Sequence, residues 1–88
     1  MPERSVIIVN KLGLHARAAS KFVNLASRYH CEIEIERDSR RVNGKSIMGV
    51  MMLAASKGTT VTIYADGEDA EEGLDALEAL VKEGFGED

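Results

Sequence analysis

Cys31-Glu32-Ile33-Glu34-Ile35-Glu36 is the segment that decides the fold class of this 88-residue chain. Apolar and acidic residues alternate strictly, so an extended strand here has one buried face and one wet face. Thr60-Val61-Thr62-Ile63-Tyr64-Ala65 repeats the pattern, with Val61, Ile63 and Ala65 turned inward. A one-sided sheet must be covered by helices on its apolar face, which makes the class α+β with two layers.

Working outward, Ser5-Val6-Ile7-Ile8-Val9 is β-branched and apolar enough for a further strand. Asp38-Ser39-Arg40 makes a turn into a short strand ending near Asn43-Gly44. Between these strands, Ala16, Ala19, Phe22, Val23 and Ala26 recur at helical spacing, with Arg17, Lys21, Asn24 and Arg28 on the opposite side. Ser46 is the expected N-cap of a short second helix that Lys57-Gly58 closes, with Val50, Leu53 and Ala54 facing inward. The last helix is expected to open at Asp69 with Glu72 three residues on, like a capping box, and to bury Ala70, Leu74, Leu77 and Val81. The order is strand, helix, strand, strand, short helix, strand, helix. No linker or repeat interrupts it, so residues 1–88 are expected to form a single domain.

A chain of this length buries roughly 60% of its unfolded surface, too little for a second core or a deep catalytic cleft. Net charge is −4, with acid concentrated at Glu32, Glu34, Glu36 and between Asp66 and Glu87, which makes nucleic acid a poor partner. The cations gather at Lys11, Arg17, Lys21 and Arg28, with Arg40, Arg41 and Lys45 further along, an asymmetry that suits acidic protein partners. Cys31 is the only cysteine, which excludes an intramolecular disulfide and points to a reducing compartment. With no secretory leader and no span of membrane length, the expected location is the cytoplasm, without membrane insertion.

Two motifs carry chemistry. In Lys11-Leu12-Gly13-Leu14-His15-Ala16-Arg17-Ala18-Ala19, Gly13 turns the chain from strand to helix and sets His15 at the first helical turn. Unpaired backbone N–H groups and the positive end of the helix dipole attract an anion there and disfavour imidazolium. His15 is therefore expected to be neutral and nucleophilic near neutral pH, able to take a phosphoryl group that Arg17 then stabilises. The plain alternative is a helix-capping histidine beside a solvated arginine. In Gly44-Lys45-Ser46-Ile47-Met48-Gly49-Val50-Met51-Met52-Leu53, the short helix is rich in methionine, which repacks readily against different partners. Ile47, Met48 and Met51 form its expected outward patch. The alternative makes Ser46 only a cap and the methionines only core.

Together these motifs resemble the histidine-containing phosphocarrier family, HPr, of the bacterial phosphoenolpyruvate:sugar phosphotransferase system. The likeness rests on Gly13-Leu14-His15-Ala16-Arg17 and Gly44-Lys45-Ser46-Ile47-Met48-Gly49 at the family's separation, in a chain of the family's length. It implies an open-faced β-sandwich, βαββαβα, with a four-stranded antiparallel sheet covered on one face by three helices. It further implies that His15 is phosphorylated on its δ nitrogen, that Arg17 holds the phosphate, and that Ser46 is a regulatory phosphorylation site. The implied partners are enzyme I, enzyme II A or B components and, at Ser46, an HPr kinase/phosphorylase. They would dock on Ile47, Met48, Met51 and Lys21 of a monomer needing no cofactor. Ala18 replaces a proline common in the family, and Leu12 stands where some relatives carry a polar residue. Glu83-Gly84-Phe85-Gly86-Glu87-Asp88 and Asn10-Lys11-Leu12 also resemble the nitrogen-related branch, NPr, a regulatory carrier not dedicated to sugar transport.

Three other classes compete. A metal site would draw on His15, His30 and Cys31, but His30-Cys31 lacks zinc-ligand spacing, so no metal is expected. A non-catalytic β-sheet module binding RNA or protein is the least favoured: RNA binding would need aromatics and a basic field on the open face, where Tyr64 stands with a row of glutamates. A self-contained enzyme would need an acid or base beside His15, and the neighbouring sequence offers only Arg17 and small residues, so the expected role is a carrier with a covalent phosphohistidine.

Overall fold

The computed structural model describes residues 2–87. The elements are β1 (Glu3–Ile7), α1 (Ala16–Ala26), β2 (Glu32–Arg37), β3 (Arg40–Asn43), α2 (Ile47–Met52), β4 (Thr60–Asp66) and α3 (Ala70–Lys82), followed by a tight turn at Gly84–Gly86. All four strands join one antiparallel sheet in the order β1-β4-β2-β3. β2 and β4 lie side by side with Ile33 opposite Ala65 and Ile35 opposite Ile63. That register puts the inward residues of both strands on the same face, where Phe22, Leu74, Leu77 and Val81 of the helices bury them. The α+β open-faced sandwich expected from the alternation and the resemblance is the fold observed. Asp38 (φ 49°) and Ser39 (φ 69°) form the two-residue connection between β2 and β3, the left-handed pair that matches the twist of a hairpin.

Five local features depart from expectation. β1 runs from Glu3 to Ile7 rather than from Ser5 to Val9. The chain still follows the sheet at Ile8, which donates to Thr59 O at 2.9 Å and accepts from Gly58 N at 2.7 Å. Ala16 is exposed, and the buried face of α1 is Ala18, Ala19, Phe22, Val23 and Ala26.

α2 stops at Met52, short of Lys57-Gly58, which instead form the turn into β4. Ala54 leaves the helix with φ 50° and is exposed, while Ala55 takes the inward place expected of it. The cause is a pair of arginines from the neighbouring hairpin: Arg37 donates to Leu53 O at 2.9 Å and Arg40 to Met52 O at 3.3 Å. They satisfy the carbonyls that a longer helix would have used.

Asp69 makes no side-chain cap for α3. Its two carboxylate oxygens accept from His30 N and Cys31 N, each at 2.8 Å, and tie the start of α3 to the entry of β2. Those amides, led by that of His30 and opposed by burial, hold the Asp69 carboxyl below its usual range. Burial, followed by the hydrogen bond and charge of Asp69, pushes the Cys31 thiol up, which keeps it protonated and unreactive.

Candidate functional site

The site begins at the loop between β1 and α1. Asn10 is buried and donates through Nδ2 to Gly13 O at 2.8 Å, while Gly13 adopts φ 67° and Leu14 N donates to Ala55 O at 2.9 Å. These bonds deliver His15 as the N-cap of α1 in extended backbone (φ −76°, ψ 179°). Its carbonyl accepts from Ala19 N at 2.8 Å, but its side chain makes no cap bond. The imidazole is left to face a shallow depression.

That depression, of about 760 Å³, is lined by Lys11, Leu12, His15, Ala16, Arg17, Lys21, Gly86 and Glu87. Three cations and one carboxylate meet beside the N–H groups of the first turn of α1, a setting that favours a phosphoryl-sized anion. Arg17 is exposed and makes no ion pair among the described residues, so its guanidinium can follow an anion. Lys21 donates to Phe85 O at 2.6 Å and so joins the wall of the depression.

Glu87 is the residue that sequence reasoning missed. Its Oε2 lies 2.6 Å from His15 Nε2 and its Oε1 accepts from Asn10 Nδ2 at 3.0 Å. The bond from Asn10, then that from His15, hold its carboxyl below the usual range against the opposing effect of burial. It reaches the histidine because Phe85, fully buried between Gly84 and Gly86, pins the turn that precedes it against α1 and α3. The available signal was the sequence Gly-Phe-Gly-Glu itself, a large apolar residue between two flexible ones with a carboxylate next in line.

Ser46 caps α2 as expected, its Oγ accepting from Gly49 N at 3.1 Å. Val50 and Leu53 are buried, whereas Ile47, Met48 and Met51 are exposed, Met48 by 74%. Met52, not part of the expected patch, is exposed by 62%. The expected cluster of basic residues divides: Lys11, Arg17 and Lys21 surround His15, while Lys45 donates to Tyr29 O and Arg41 lies on the open sheet face. There the guanidinium covers Tyr64 at 3.8 Å from the ring centroid and the phenol donates to Glu36 at 2.6 Å. A ring so covered and paired is no platform for stacking a base. None of the described helices is long and apolar enough to cross a membrane.

Fold and site together define a class: a small open-faced α+β sandwich that presents a histidine at a helix N-terminus among cations. The model of the PTS-HPr family, described as the PTS HPr component phosphorylation site, matches residues 2–83. The phosphocarrier protein HPr of Cupriavidus necator is 52% identical over 87 residues, covering 99% of this chain and 98% of that protein. The phosphocarrier protein NPr of Shewanella violacea is 46% identical and covers 97% and 93%. Among solved structures, HPr-C-His from Thermoanaerobacter tengcongensis superposes with a TM-score of 0.96 at 46% identity, covering 100% of this chain and 99% of that one. The chain belongs to the HPr family of phosphocarriers of the phosphotransferase system.

Proposed function

We propose that this chain is a single-domain, monomeric, cytoplasmic carrier that takes a phosphoryl group from phospho-enzyme I and passes it to an A or B component of enzyme II. Phosphoenolpyruvate is the ultimate donor. The observation that carries this reading is the placement of His15 at the start of α1, facing a depression walled by Lys11, Arg17 and Lys21. In the proposed step the δ nitrogen of His15 attacks phosphorus, the N–P bond of the donor breaks, and its electron pair returns to the donor's ring. The helix N-terminus and Arg17 stabilise charge on the transferring oxygens, and each partner supplies the remaining groups. An exposed Arg17 with no ion pair among the described residues holds the phosphoryl group without locking it, which a carrier requires.

Ile47, Met48, Met51 and Lys21 form the proposed docking face. Phosphorylation of Ser46 by an HPr kinase/phosphorylase would place charge beside its apolar part. The added anion suits an N-cap, so regulation at Ser46 acts on docking rather than on α2 itself.

A second reading is that the carrier serves the nitrogen-related branch, which the 46% identity to an NPr supports. One assay tests the function and separates the branches: phosphoenolpyruvate, enzyme I of each branch, this chain, and an enzyme II A component of each branch. The carrier reading requires an acid-labile adduct on this chain that discharges when the matching A component is added. An adduct that never discharges, or none from either enzyme I, contradicts it.

A further inference from the structure

The carboxylate of Glu87 is fixed at both oxygens. Oε1 accepts from Asn10, whose Nδ2 is also committed to Gly13 O inside the protein, and Oε2 meets His15 Nε2 at 2.6 Å. The turn that carries it is held by buried Phe85 and by the bond from Lys21 to Phe85 O. An ionised carboxylate can only accept, so the hydrogen in the short contact belongs to Nε2. In a neutral imidazole that leaves the lone pair on Nδ1.

We propose that Glu87 is a positioning residue which makes Nδ1, and not Nε2, the phosphoryl acceptor of His15. The inference rests on the reading of His15 as the phosphoacceptor and adds what selects between its two nitrogens. When Nδ1 forms its bond to phosphorus and the donor's N–P bond breaks, no proton need leave the ring. Nε2 keeps its hydrogen, the ring gains positive charge, and Glu87 offsets that charge, as a carboxylate oriented behind a catalytic histidine does. Asn10 in turn holds Glu87 in line.

The test uses phosphoramidate, a small donor that loses ammonia as the new N–P bond forms and needs no partner protein. Full-length wild type, Glu87→Ala and Glu87→Gln are each labelled, and phosphorus and nitrogen NMR at the assigned His15 resonances identify the modified nitrogen. Wild type is expected to give the Nδ1 product alone. Both variants are expected to add a resolved Nε2 product, the glutamine because an amide can donate to Nε2 as well as accept from it. Before labelling, nitrogen shifts of wild type should show the hydrogen on Nε2, with partial loss of that preference in both variants. Backbone amide spectra check that all three remain folded. An Nδ1 product alone in all three proteins, or an Nε2 product in wild type, overturns the inference. Failure of enzyme I to modify His15 while the variants still change the labelled nitrogen would instead overturn the carrier reading alone.

Discussion

Gly13 packs so closely against Ala55 that a Cβ atom on it would lie 2.4 Å from the Ala55 carbonyl oxygen. The obstacle is backbone, the same carbonyl that accepts from Leu14 N, and Gly13 also holds φ 67°. Gly13→Ala is therefore expected to destabilise the fold by more than ~1 kcal/mol. It should also move His15 and slow its phosphorylation. Thermal unfolding and the rate of transfer from enzyme I check both effects, and an unchanged melting temperature would contradict the tight contact.

Glu87 supplies a pH dependence whose sign follows from its lowered carboxyl. A group depressed in the folded state stabilises above its ordinary value, near ~4.3, and that stabilisation is lost as pH falls through the folded value. The terminal turn is therefore expected to stay docked at pH 5 and to release only in stronger acid. Carboxyl carbon shifts of Glu87 should titrate below ~4.3, and His15→Ala should raise the midpoint part way by removing one of its two hydrogen bonds. A midpoint at or above the ordinary value would contradict the geometry.

Ser46→Asp separates helix capping from docking. Aspartate is as good an N-cap as serine and its charge suits the helix dipole, so stability is expected to hold or rise by ~0.3–1 kcal/mol. Affinity for enzyme I is expected to fall about tenfold and to recover partly with salt, since the new charge must be desolvated beside Ile47, Met48 and Met51. Calorimetry of unfolding and of binding reads both. Normal binding would leave Ser46 as a cap alone, and weak binding from an unfolded variant would contradict the electrostatic account.

Arg17→Lys is expected to slow transfer about tenfold, equivalent to ~1.4 kcal/mol, with a smaller loss in affinity for either partner. A planar fork can bridge two phosphoryl oxygens as charge shifts between them, and an ammonium cannot. Rapid-quench transfer rates and binding isotherms decide it. Equal losses in both would make Arg17 a docking residue.

The sheet was legible because one-sided burial imprints an alternation, as in Ile33 and Ile35 against Glu32, Glu34 and Glu36. The start of α1 at His15 was legible because turn glycine and helical spacing are both local. What escaped was set by residues distant in the chain. Arg37 and Arg40 end α2 from a neighbouring hairpin, and Asp69 abandons its own helix for amides 38 and 39 residues earlier. Glu87 lies 72 residues beyond His15, and only folding around Phe85 brings them together. A composition of small residues near His15 therefore concealed a carboxylate in contact with it.

His15 as the acceptor of the phosphoryl group is tested most directly by the intact mass of wild type and His15→Ala after incubation with phosphoenolpyruvate and enzyme I, with thermal unfolding as the check on folding. Wild type should gain one acid-labile phosphoryl group. His15→Ala should gain none while keeping its stability to within ~1 kcal/mol, because the imidazole is partly exposed and caps nothing. A folded His15→Ala that still gains acid-labile phosphate would contradict the account.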